Sequence, residues 1–128
     1  MFYVVDTHTF LWYLTDSLLL SRKARALFDL ADKGKAIIVI PAIVILEAID
    51  ILDKKKIRFD FETLIAKIQV SNNFIFSDLN WSLIIEVNKL KGFKDLHDRV
   101  IIATAKVFDA HLISKDGLLR KSYVRTIW

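Results

Sequence analysis

The sequence predicts an α/β fold, a three-layer αβα sandwich around a central, mainly parallel sheet. Short apolar runs alternate with helical segments along the whole chain, the pattern of strands joined by right-handed crossovers. The apolar runs are continuous rather than alternating, as strands covered on both faces read. No linker, repeat or low-complexity stretch interrupts residues 1–128, so a single domain is expected.

Phe2 to Val5, rich in β-branched and aromatic residues, is the first strand, with Asp6 at its carboxyl end. A short helix or turn is expected from His8 to Leu14. Ser21 suits the N-cap of a helix from Arg22 to about Lys33, and Gly34 suits its end. Ile37 to Ile40 is the second strand, stopped by Pro41, which can open a helix running through Asp53. Lys54 to Arg58 is a basic connector, and Asp60 can cap a helix from Phe61 to Val70. Phe74 to Phe76 is the third strand, with Ser77 or Asp78 capping a helix through Leu90. Asp95 can cap a helix from Leu96 to Phe108. His111 to Ser114 is the fourth strand, Asp116-Gly117 reads as a turn, and Val124 to Ile127 as a fifth strand.

Bulk composition narrows the chemistry. The hydrophobic fraction is 54%, yet the longest uncharged apolar stretch, Ala36 to Leu46, has eleven residues and is broken by Pro41. A membrane-spanning helix needs roughly 17–25. Met1 to Val5 shows no basic leader, and Asp6 interrupts it before a signal-peptide core can form. A soluble, cytoplasmic domain without a membrane partner is the expectation. The chain has no cysteine, which excludes disulfides, thiolate zinc sites and cysteine nucleophiles. His8, His97 and His111 lack the short spacings of histidine metal sites. A metal would therefore be held by carboxylate oxygen, which suits Mg²⁺ or Mn²⁺. The net charge of +4 is weakly compatible with a polyanionic partner.

Four acids stand where an open α/β sheet places its ligand crevice, beyond the carboxyl ends of the strands. Asp6 follows the first strand and Asp116 the fourth. Glu47 lies two turns into the helix after the second strand, and Asp98 in the first turn of the helix leading to the fourth. Glu47 is surrounded in sequence by Ile43, Val44, Ile45, Leu46, Ala48 and Ile49, and a glutamate is rarely buried unless paired or metal-bound. Each acid also has a structural role available. Glu47 and Asp50 can form a solvated stripe, Asp6 and Asp95 can cap helices, and Asp116 can serve a turn. We assign Asp95 mainly to capping and Asp98 mainly to the site. Carboxylates crowded together repel one another and raise their pKa values, which a divalent cation would relieve.

With these residues in view, Phe2-Tyr3-Val4-Val5-Asp6-Thr7-His8 resembles the opening of PIN-domain proteins, in particular the VapC-like toxins of prokaryotic toxin–antitoxin pairs. The segment from Asp95 to Ala105 resembles their third acidic motif, and His111 to Asp116 their fourth. Tyr123 to Trp128 also fits this branch, so the resemblance covers essentially the whole chain. Leu96 stands where the branch often has proline, and Leu46 where tryptophan is common; neither departure removes a carboxylate. The resemblance implies a Mg²⁺- or Mn²⁺-dependent endoribonuclease acting on single-stranded RNA with one or two ions, inhibited by a cognate antitoxin and usually dimeric. It implies catalytic roles for Asp6, Glu47, Asp98 and Asp116, with Asp6, Asp98 and Asp116 as ligands and Glu47 as ligand or base. Ser114 matches a hydroxyl residue that helps orient the site, with Asp95 in support.

Basic residues cluster at Lys54, Lys55, Lys56 and Arg58, and again at Lys89, Lys91 and Lys94. The first run suits a helix C-terminus. Arg99 and Lys115 are the better candidates for RNA phosphate, each adjoining a candidate acid. Phe10, Trp12, Tyr13, Trp81 and Trp128 suit a core, a homodimer or an antitoxin contact more readily than a base-stacking platform. Two other readings compete: a Mg²⁺-binding phosphoacceptor domain of response-regulator type with Asp78 as acceptor, and a non-catalytic module keeping the same fold. The second predicts loss of an acid, and none of the four is missing.

Overall fold

The computed structural model describes residues 1–93 and 95–128. Five strands form one sheet in the order β3-β2-β1-β4-β5, and every neighbouring pair is parallel. They are β1 (Phe2–Val5), β2 (Ile37–Pro41), β3 (Phe74–Ser77), β4 (His111–Ile113) and β5 (Thr126–Ile127). Because all strands run the same way, all their carboxyl ends lie on one edge.

Seven helices connect them among the described residues: α1 (Thr7–Leu14), α2 (Arg22–Asp32), α3 (Ala42–Lys54), α4 (Phe61–Val70), α5 (Trp81–Lys89), α6 (Leu96–Val107) and α7 (Gly117–Ser122). Val4, Val5, Ile38, Val39 and Leu112 are all fully buried or nearly so, consecutive residues included. Both faces of the sheet are therefore covered, as the continuous apolar runs predict. One face carries α1, α2 and α4, whose Tyr13, Phe28 and Leu64 gather with Phe74 of β3 around an apolar pocket. On the other, α6 lies across β1, β2 and β4, and α5 packs on α6 through Leu83, Val87, Val100 and Ala103. The third helix touches both α1 and α6. It bridges the two helical layers where β2 ends, and this brings Glu47 to the strand-end edge.

Local chemistry explains most boundaries. Ser21 caps α2 by accepting from the Ala24 N–H, Asp60 caps α4 and Asp95 caps α6. Gly34 takes a positive φ of 72° just beyond α2, the left-handed conformation that ends a helix at least cost. Three details differ from the sequence expectation. Asn80, rather than Ser77 or Asp78, caps α5 through the Leu83 N–H, because Ser77 is still paired with Pro41 in the sheet. Asp116-Gly117 opens the short helix α7 instead of a simple turn, with Asp116 accepting from the Leu119 N–H. The fifth strand is only Thr126–Ile127. No helix of the described residues is long and apolar enough to cross a membrane.

Candidate functional site

Asp6 is the N-cap of α1 and sits at the centre of the sheet edge, only 7% exposed. Both of its oxygens have donors. The Thr9 backbone N–H reaches Oδ1 at 3.0 Å, and the Ser114 hydroxyl donates a short hydrogen bond to Oδ2. Ser114 is itself buried and accepts from the Asp116 N–H at 3.0 Å. One hydroxyl thus joins the ends of β1 and β4 and fixes the start of the chain that carries Asp116. Thr9 adds a second tie, its hydroxyl donating to the Ile113 carbonyl at 3.1 Å.

The helix-borne acids are held more loosely. Glu47 keeps 33% of its side chain exposed, so its apolar sequence neighbours do not bury it; they serve the flanking faces of α3, where Val44 and Ala48 are in the core. Its Oε1 accepts a short hydrogen bond from the Thr7 hydroxyl, and His97 Nδ1 lies 4.0 Å from Oε2. Asp95 caps α6 with N–H contacts at 2.8 Å from His97 and 3.3 Å from Asp98. Asp98 follows in the first turn of that helix.

The electrostatics report the crowding. Partial burial, followed by the charges of Asp95, Asp116, Asp6 and Glu47, pushes the Asp98 carboxyl up to about 6. The other three candidate catalytic acids and Asp95 are thus near enough to act on Asp98. Capping and convergence turn out to be one fact: Asp6, Asp95 and Asp116 cap helices that start at this edge, whose N-terminal dipoles favour negative charge.

Among the described residues, no three His, Asp or Glu side chains converge tightly enough to chelate an ion by themselves. The donor set still fits a hard divalent cation. It is all oxygen, its mutual repulsion is the kind such an ion relieves, and Mg²⁺ typically keeps several waters while using one or two carboxylates.

A scan against family models matches residues 3–123 to the PIN domain. The chain belongs to the PIN domain family. PIN domains are generally nucleases. No curated protein matches the sequence. Two solved structures share the fold. A toxin–antitoxin complex from Klebsiella pneumoniae has a TM-score of 0.66 at 15% identity, covering 98% of this chain and 96% of that one. VapBC2 from Rickettsia felis, bound to a DNA fragment from its promoter, has a TM-score of 0.66 at 17% identity, covering 99% and 96%.

Within this PIN domain the remaining candidates divide. Lys115 is exposed beside Asp116, its ammonium 6.0 Å from the centre of the Trp12 ring. Arg99 donates through Nε to the Phe93 carbonyl at 2.9 Å, which anchors it beside the start of α6. Lys94 lies outside the described residues. Asp78 follows β3, an outer strand two places from β1, and is not among the acids whose charges act on Asp98, so the phosphoacceptor reading finds no partner acids there. The apolar pocket over β2 and β3 is lined by none of the four acids. Sequence reasoning missed Thr7, Thr9 and His97. The signal available was two threonines in the first turn after a strand-end aspartate, an unfavourable choice for helix propensity alone.

Proposed function

We propose that this PIN domain is a Mg²⁺- or Mn²⁺-dependent endoribonuclease that hydrolyses phosphodiester bonds in single-stranded RNA. The observation that carries the reading is the crowding of Asp98 by Asp6, Glu47, Asp95 and Asp116. Asp6, Asp98 and Asp116 would hold the ion, and Glu47 supplies the fourth carboxylate as ligand or base. Such an ion, when bound, supplies an activated water and positive charge at the scissile phosphate. Ser114 orients Asp6, and Thr7 orients Glu47. Asp95 fixes the start of α6 and hence the position of Asp98. Lys115 and Arg99 bind the RNA backbone by charge.

We further read the chain as the toxin of a VapBC-type pair acting in the cytoplasm as one domain, restrained by a cognate antitoxin. Both structural neighbours, a toxin–antitoxin complex and a VapBC2 complex, support this. A homodimer is part of the same reading, supported by the exposed apolar residues Leu79, Trp81, Ile84 and Ile85 at α5.

The test is cleavage of a single-stranded RNA by purified protein with Mg²⁺ or Mn²⁺. Activity should vanish with EDTA and fall by about 10²-fold or more in Asp6→Asn. Cleavage that persists undiminished in Asp6→Asn would falsify the assignment of this site.

A further inference from the structure

An aromatic group adjoins the acidic edge and is not used by the acids. Trp12 of α1 packs on Trp128, with ring centres 5.6 Å apart, and on His8, with ring centres 5.7 Å apart. Trp128 directly follows β5, so it stands on the same strand-end edge as Asp6 and Asp116. The pairing of the Ser114 N–H with the Ile127 carbonyl at 3.1 Å holds the two strand ends side by side. Lys115, between Ser114 and Asp116, places its ammonium 6.0 Å from the Trp12 ring centre. Both indoles are only half-buried, while His8 and Lys115 are exposed. Aromatic surface, a cation and a histidine edge thus lie next to the place where a phosphate would meet the carboxylates.

A core role does not account for this arrangement. The aromatic core of the same helix is made by Phe10, which is 2% exposed, and by Tyr13, stacked on Phe28 at 4.0 Å. Trp12 and Trp128 pack against the core and remain partly exposed, and Trp12 adjoins both Lys115 and His8. Nucleobases present a π-face that aromatic side chains recognise whatever the base, and a neighbouring cation suits the attached phosphate.

We propose that Trp12 and Trp128, flanked by Lys115 and His8, form the platform on which one nucleobase of single-stranded RNA stacks beside the carboxylates. This rests on the nuclease reading for its substrate class, but its test does not depend on cleavage. In Trp81→Phe, Trp12 and Trp128 are the only tryptophans left, so fluorescence reports on the platform. Titration with a short RNA in Ca²⁺ should quench that fluorescence, and an abasic strand of equal length should not. Trp12→Ala should weaken RNA binding about tenfold while leaving affinity for the abasic strand unchanged, and Trp12→Phe should restore most of the loss. The Phe variant keeps the test valid if the Ala variant unfolds. Base-dependent quenching by a protein that does not cleave RNA would uphold the platform and defeat the nuclease reading. Equal affinity for RNA and abasic strand, with or without cleavage, overturns the platform. So does a change from dimer to monomer in Trp12→Phe with RNA binding intact, since the pair would then be a protein contact.

Discussion

On the strand side of the acidic edge, Asp6 is buried and each oxygen accepts from a fixed donor, Thr9 or Ser114. On the helix side, Glu47 and Asp98 are half-buried, and burial together with the neighbouring charges pushes the Asp98 carboxyl up to about 6. The strand-side acid directly follows β1, and its donors sit on α1 and just after β4, segments that the Thr9 hydroxyl also ties together. The helix-side acids are carried by α3 and α6, and Glu47 accepts from one hydroxyl, that of Thr7. The contrast separates a preorganised acid from a charge-loaded one that a cation would settle.

The sharpest way to break the comparison is Asp6→Asn. Asparagine caps a helix as well as aspartate does, so the melting temperature should stay within a few degrees while cleavage falls by about 10²-fold or more. A matched loss of stability would mean that Asp6 serves the fold instead.

Ser114→Ala probes the same half one step out. Removing the hydroxyl leaves a buried Asp6 oxygen without its donor, at a cost of about 1–3 kcal/mol. Cleavage should fall about 10–100-fold, the usual range for a residue that orients a metal ligand. Rates within twofold of the parent would show that the sheet positions Asp6 without it.

The helix side should reveal itself through pH. Asp98 keeps its proton up to about 6 when folded, against an ordinary value of 3.8. In that window the native state binds more protons than the unfolded chain, so stability falls as pH rises. Metal-free protein should therefore lose about 1 kcal/mol between pH 4 and pH 7, after allowing for the partial exposure of the group. Asp98→Asn should flatten this slope, and Mg²⁺ or Mn²⁺ at pH 7 should restore stability to the parent by mass action. Thermal melts of both proteins across pH decide it; equal slopes in the parent and Asp98→Asn contradict the crowding.

The smallest effect is expected from Asp95→Ala. Loss of this cap should cost about 1 kcal/mol. Cleavage should drop less than in Asp6→Asn, because Asp98 stays in the first turn of α6. Equal losses in the two variants would move Asp95 from support into the metal set.

Much of the frame was legible in advance. Apolar runs and cap residues predict β1 to β4 and the starts of α2, α4 and α6, since a cap acts over three residues and a buried strand announces itself in four. The four acids could be named because each follows or opens an element that the pattern already marks. Their local partners could not. Thr7 meets Glu47 across 40 residues and Ser114 meets Asp6 across 108, contacts that exist only once β4 lies beside β1 and α3 bridges the layers. The cap of α5 was misplaced for a related reason, as pairing with β2 draws Ser77 into the sheet.

By itself, the sequence determined which segments become strands and helices, and which acids lie near their ends. Hydrophobic period and capping act within a few residues and need no partner to be read. Only the tertiary structure decided that Asp6 is buried with a donor on each oxygen and that burial and neighbouring charges oppose ionisation of Asp98. Both depend on the strand order and on how helices from distant stretches meet at one edge, and burial and Coulomb interaction are properties of that assembled neighbourhood.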